Sequence, residues 1–177
     1  ESFELVVGMA ILHHLHNPAR TIAGAANILK SGGLAIFSEP FENGNYLLSL
    51  AYRMILRDAA AKQLSQPVRE FLTGRIKSIA LHSGLEKTEA FLHSHDDKWL
   101  FTHKIIEKVA RQSGFSECII MPQAQKADAL TRKTRVLLKY LNLDDGELPL
   151  WAWEIIAEVE SSMSSLLREE MPLEAAI

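Results

Sequence analysis

Phe3-Glu4-Leu5-Val6-Val7-Gly8-Met9-Ala10-Ile11-Leu12-His13-His14-Leu15 is the stretch on which the fold turns. Its opening run is short, β-branched and apolar, and Gly8 ends it. That pattern predicts a strand buried on both faces, as in a parallel sheet. Next comes Asn17-Pro18, a helix start with Asn17 as N-cap and Pro18 at the first helical position. Ile22, Ala25, Ala26 and Leu29 then recur at helical spacing. Lys30-Ser31-Gly32-Gly33 supplies an expected helix end, with a cation in the last turn and glycine for a left-handed cap. Leu34 to Phe37 reads as a second apolar strand, closed by Ser38-Glu39-Pro40. Strand, helix and strand in succession predict a βαβ unit with a right-handed crossover.

Outward from this unit the pattern is mostly helical. Leu47, Leu50, Ala51, Met54 and Ile55 line one side of a helix expected from Tyr46 to about Gln63, and Pro67 restarts a helix through Ile76 and Ile79. Leu85 to His95 reads equally as helix or loop, and His93-Ser94-His95-Asp96-Asp97 reads as loop. Thr102 is placed to cap a helix carrying Ile105, Ile106, Val109 and Ala110, stopped by Gly114. Cys118-Ile119-Ile120-Met121 reads as a third strand ended by Pro122. Helices are expected at 128–141 and 150–170, around Gly146 and Pro149.

Composition narrows the function. Of 177 residues, 47% are hydrophobic and 23% charged, a balance that fills a globular core. The formal net charge is -3 and no basic stripe stands out, which argues against a nucleic-acid partner. Cys118 is the single cysteine, so neither an intrachain disulfide nor a thiolate zinc cluster can form. A reducing compartment, the cytoplasm, is therefore expected. No apolar run approaches the roughly 18 residues of a membrane span, and the N-terminus resembles neither a signal nor a transit peptide. The chain opens Glu1-Ser2-Phe3 with no initiator methionine, which reads as a fragment boundary.

Residues 3–15 resemble the fourth strand and following loop of class I S-adenosylmethionine-dependent methyltransferases of the type 11/12 kind. The resemblance continues through Asn17-Pro18 and the helix to Leu29-Lys30-Ser31-Gly32-Gly33, where that family shows a "leucine, basic, X, Gly-Gly" run. Ala35-Ile36-Phe37-Ser38-Glu39-Pro40 is similar to the fifth strand and its polar exit. The likeness covers residues 1–41 clearly. It is weaker at 97–122, where Asp97-Lys98-Trp99-Leu100-Phe101, Ser113-Gly114-Phe115 and the following strand look like the family's late helix and sixth strand. It implies an α/β fold: a partial Rossmann-like methyltransferase sheet, strands four onward, with a helical insert and C-terminal helices. The implied organisation is a catalytic portion at 1–122, with a lid-like insert at 42–96, and a helical extension at 123–177.

The resemblance also implies a site at the C-terminal ends of the strands, where open α/β sheets bind ligands. Gly8, Met9 and Ala10 would line the methionine portion of S-adenosylmethionine, Gly8 by letting backbone come close. His13 would contact the cofactor as well, and His13 and His14 would face the reaction cleft. His14 and Glu39 are the candidates for a general base or for binding the acceptor, and Phe41 and Tyr46 for walling it. Plainer roles stay open: loop imidazoles bonded to backbone, a loop-anchoring or helix-capping Glu39, packing aromatics and a buried, inert Cys118. Trp151 and Trp153 are expected to pack the C-terminal helices. No metal site is expected from His13-His14-His16 or His93-Ser94-His95-Asp96. Adjacent residues on a strand or loop point apart, and no helical His-x-x-x-His pair occurs.

The family holds its cofactor chiefly through a glycine-rich loop and an acidic strand end. No Gly-x-Gly occurs in this chain, so both are expected upstream of Glu1 and the fragment alone is expected to be inactive. Residues 3–7 would then present an open apolar edge that pairs with another chain, a homo-oligomer included, or with more of a longer polypeptide. The implied function is methylation of a small molecule at oxygen, nitrogen or carbon. The alternatives are a non-catalytic methyltransferase-like binding or assembly module and, less favoured, another Rossmann-type oxidoreductase, whose Gly-x-Gly-x-x-Gly turn is missing.

Overall fold

The computed structural model describes residues 2–84, 86–122, 128–163 and 174–176. The chain divides into two compact units. The first comprises residues 1–42, 82–123 and 174–177, and the second residues 43–81 and 124–173.

In the first unit, β1 (Phe3–Met9) and β2 (Leu29–Pro40) are parallel neighbours, joined by α1 (Pro18–Ile28). Asn17 caps α1 as expected: its side chain accepts from Arg20 N at 3.0 Å, with Pro18 in the first turn. The helix ends sooner than the Lys30–Gly33 signal suggests. Leu29 is already extended and pairs with Phe3, while the next pair is Leu5 with Leu34. The intervening residues bulge out of the ladder, and Gly32, at φ +77°, takes the left-handed turn this needs.

β1 corrects a second expectation. It lies at the sheet edge, and alternate residues Phe3, Leu5, Val7 and Met9 are half or more exposed, from 50% to 65%. Val6, on the other face, packs against the core of Leu12, Ile22, Ala25, Phe37, Phe41, Phe101 and Ile106. The strand is therefore covered on one face only among the described residues.

The sheet continues through two short antiparallel strands in the order β1-β2-β4-β3, with β3 at Met121–Pro122 and β4 at Glu174–Ala176. The expected third strand contributes only its end. Cys118 and Ile120 pack against the core but make no ladder. Two helices lie before it. Thr88 caps the short α4 (Glu89–Ser94), so His93 is helical rather than in a loop. Thr102 caps α5 (His103–Gln112), accepting from Ile105 N at 3.3 Å, and Gly114 (φ +94°) follows its end.

The second unit is helical: α2 (Glu42–Arg57), which begins in the first unit, α3 (Gln66–His82), α6 (Ala129–Tyr140) and α7 (Leu150–Ser162). Residues 164–170 of the expected last helix lie outside the described residues. Leu48, Tyr52, Ile55, Leu72, Leu130, Leu138 and Ile156 fill the core, with Trp151 and Trp153 packed against it. The Tyr52 hydroxyl is 3.0 Å from Thr134 Oγ1, which donates to Leu130 O at 2.8 Å. Burial pushes the phenol up to about 12. Among the described residues no helix is long and apolar enough to cross a membrane.

Candidate functional site

The exits of β1 and β2 lie side by side. Met9 pairs with Ser38, and Ala10 N donates to Ser38 O at 2.9 Å. Ala10 sits at φ +50°, a strained left-handed conformation for a residue with a Cβ, costing on the order of 1–2 kcal/mol. That turn delivers the chain into a single 3-10 turn at Leu12–His14.

Glu39, at the end of β2, organises this turn. Its Oε1 accepts from Ile11 N at 3.0 Å and Leu12 N at 2.8 Å, and its Oε2 from His13 N at 3.2 Å and His13 Nδ1 at 2.6 Å. The residue is 1% exposed. A buried carboxylate this fully engaged satisfies amides that would otherwise be orphaned at the start of a helical turn. Of the two roles open to Glu39, the structure shows loop anchoring. Neither oxygen is left to act as a base on a substrate.

The anchoring has a chemical consequence. A carboxylate only accepts, so His13 donates through Nδ1, and Nε2 is the ring nitrogen left for other partners. That Nε2 faces Asp97 Oδ1 at 3.5 Å. His14, whose ring centroid is 4.0 Å from that of His13, places Nδ1 3.4 Å from the same Asp97 oxygen, 3.4 Å from Asp96 Oδ1 and 3.2 Å from Asp96 O. The expectation that the two imidazoles point apart fails because they stand on a tight helical turn and not on an extended strand.

Asp96 and Asp97 read as loop in the sequence, which does not bring them to His13 and His14. They lie more than eighty positions downstream, and only the docking of their loop brings them in. Lys98 N donates to His13 O at 2.7 Å, and Trp99 Nε1 to Leu15 O at 2.8 Å. The Lys98 ammonium is held within its own loop by the carbonyls of His95 (2.7 Å) and Asp96 (3.0 Å). A polar pair next to a tryptophan was the only local hint.

The remaining candidates are dispersed. A Cβ at Gly8 would meet the Phe37 ring at 2.5 Å, so glycine is required there by the protein's own packing. Met9 and Ala10 are exposed at the strand exit. Phe41 is fully buried, its ring 5.3 Å from that of His103, and stands in the core rather than along an open wall. Tyr46 is exposed on the part of α2 that belongs to the second unit. An apolar cavity of about 310 Å³ opens instead among His16, Pro18, Ile22, Trp99, Phe101 and Ile106. Cys118 is half-buried, and burial pushes its thiol up, away from the reactive thiolate.

No known family's sequence profile matches the chain, and no curated protein matches it. Among solved structures it is similar to PKMT2 from Rickettsia typhi, determined in complex with AdoHcy. The identity is 10% and the TM-score 0.39, over 99% of this chain and 35% of that one. The chain thus spans about a third of that protein's length.

Proposed function

We propose that these residues form the acceptor-side part of an S-adenosylmethionine-dependent methyltransferase acting on a small molecule. The observation that carries the reading is the convergence of two parallel strand exits on one spot. Met9 stands beside Ser38, and Glu39 reaches back to grip the turn that bears His13 and His14. Ligands of open α/β sheets bind at such exits.

When bound, the cofactor would supply an electrophilic methyl group for an oxygen, nitrogen or carbon of the acceptor. The chain's part is positioning and exclusion of water. Exposed Met9 and Ala10 fit the methionine end of the cofactor, with Gly8 shaping their turn and His13 alongside. His14, half-exposed, takes the acceptor's proton where the nucleophile is protonated. The cavity lined by Trp99 and Phe101 offers an apolar acceptor more room than Phe41 does.

The test is photolabelling with S-adenosyl[methyl-³H]methionine of the native polypeptide that carries this sequence. Label is expected in the Gly8–His14 peptide, and label found only elsewhere overturns the reading. The 177 residues alone contain no Gly-x-Gly and are expected to bind the cofactor more weakly than micromolar in calorimetry.

A second reading, an assembly module without catalysis, is favoured by one observation: the exposed apolar face of β1. It predicts self-association or pairing through residues 3–7, which Val7→Lys would abolish in sedimentation analysis, and no photolabel at the strand exits.

A further inference from the structure

We infer that His13, His14 and Asp97 form a binding site for a divalent transition-metal ion of the zinc class, with Glu39 as the group that orients the first ligand. The donor atoms of the three residues lie within 4.8 Å of one another. His13 Nε2 and His14 Nδ1 both face Asp97 Oδ1, at 3.5 Å and 3.4 Å.

Those separations leave room for an ion between the donor atoms. A charge-assisted hydrogen bond between imidazolium and carboxylate closes to about 2.7–2.9 Å. Ligands bound to zinc at about 2.0–2.1 Å in tetrahedral geometry stand roughly 3.4 Å apart. Each histidine nitrogen stands at about that spacing from Asp97 Oδ1.

Hydrogen bonding sets the orientation of the first ligand. Glu39 Oε2 accepts from His13 Nδ1 at 2.6 Å, which directs the other ring nitrogen, Nε2, at the cluster. A buried carboxylate behind an imidazole is the arrangement that fixes tautomer and raises basicity in metal-binding histidines. His14 Nδ1 donates to Asp96 O at 3.2 Å and lies 3.4 Å from Asp96 Oδ1, so an ion bound there would displace that proton. The oxygens of Asp96 and Asp97 thus converge on the two imidazoles, and the Lys98 ammonium is tied to backbone carbonyls of its own loop. A dication answers that concentration of negative charge. Imidazole with carboxylate suits zinc, cobalt or nickel better than magnesium or calcium.

Three protein ligands leave a coordination position open for water or for an oxygen atom of a bound small molecule. The ligand class the site implies is therefore an oxygen donor, such as a hydroxyl or carboxylate. None of this requires the methyl-transfer reading, since metal affinity is measured without a methyl donor.

The experiment is calorimetric titration of the chain with Zn²⁺, repeated with Co²⁺ to read the visible bands of a tetrahedral ion. His14→Ala and Asp97→Asn are suitable variants because both side chains are solvent-accessible, at 36% and 67%, and their loss leaves the core untouched. One equivalent of metal is expected, with affinity at least about tenfold weaker in each variant. His93→Ala is the control. His16, Glu89 and His93 form another group of suitable residue types, all three exposed. Absence of saturable binding overturns the proposal. So does binding that His93→Ala abolishes while His14→Ala and Asp97→Asn leave it intact. Imidazole NMR showing His13 and His14 both protonated at neutral pH, with zinc causing no shift, assigns the cluster to protons and overturns it as well.

Discussion

Two buried glutamates, one in each unit, hold the start of a helical element by the same physics and have different consequences. Glu39 accepts from the amides of Ile11, Leu12 and His13 and from an imidazole. Glu160 accepts from Leu130 N at 2.6 Å and Thr131 Oγ1 at 2.8 Å in the first turn of α6. In both, a carboxylate replaces water for orphaned donors at a positive helix end. Glu160's donors end in the core, so its grip serves the fold alone. Glu39's last donor is a ring whose far side is open to Asp97, and the restraint on the fold becomes a restraint on a chemical group. Burial of an acid is thus no guide to function by itself; what lies beyond its partner decides.

Removing Glu39 should produce the largest effect. Glu39→Ala leaves buried amides and an imidazole without acceptors and is expected to cost about 3 kcal/mol or more in urea unfolding. Glu39→Gln keeps one carbonyl but sets an N–H₂ against backbone N–H groups, for about 2 kcal/mol. In the glutamine variant the Leu12 and His13 amides should exchange with solvent markedly faster while those of α7 do not change. Uniform protection across the chain would mean that the anchoring is not local.

Glu160 supplies the pH-dependent half of the comparison. Its carboxyl is raised above the usual 4.5, chiefly by burial, against the lowering effect of its hydrogen bonds to Leu130 and Thr131. The folded state then holds a proton that the unfolded chain has released. Stability is full below the unfolded value and declines as pH rises through the folded one. Glu160→Gln removes the titration, so the variant should gain on the parent above that window and lose the slope. Glu160→Ala should instead cost about 2 kcal/mol at any pH, because Leu130 N loses its acceptor. Urea midpoints between pH 4 and pH 8 separate the two; a parent curve rising through the window reverses the assignment.

Within the second unit, the Tyr52–Thr134 bond tests how much a plain buried hydrogen bond contributes beside these anchors. Tyr52→Phe is expected to cost about 1 kcal/mol, less than either alanine substitution, and to leave the core intact. Thermal unfolding reads it directly.

What the sequence made legible follows the range of each interaction. The cap at Asn17-Pro18 and the caps at Thr88 and Thr102 depend on residues three apart. The first and last of these stand in the sequence, and the second was hidden only because α4 is too short to show a period. The parallel pairing of β1 and β2 follows from strand, helix and strand, which admit one handedness. The exposure of β1 was not legible, because an apolar strand declares that it can be covered and not whether it is. Glu39 was legible as a polar strand exit. Its anchoring role stood there only as one alternative, since its partners lie 26 to 28 residues back and its acceptor geometry depends on the turn they form. Asp97 lay further beyond reach, because nothing near it in the chain refers to His13 or His14.

The smallest effect sharpens the contrast between the two acids. Thr131→Val removes the hydroxyl that donates to Glu160 Oε2 while leaving Leu130 N on Oε1. The stability cost should be about 1 kcal/mol or less. The titration is the more informative readout. The lost bond is one of those that lower the carboxyl's pKa, and burial, which raises it, remains. Glu160 should therefore titrate higher in the variant, moving the fall in stability to higher pH, and NMR of the side-chain carboxyl reports this independently of unfolding. A downward shift would mean that water has entered beside the carboxylate and relieved its burial. Glu160 would then be held by solvent, as an exposed acid is, and its likeness to Glu39 would reduce to one shared amide bond.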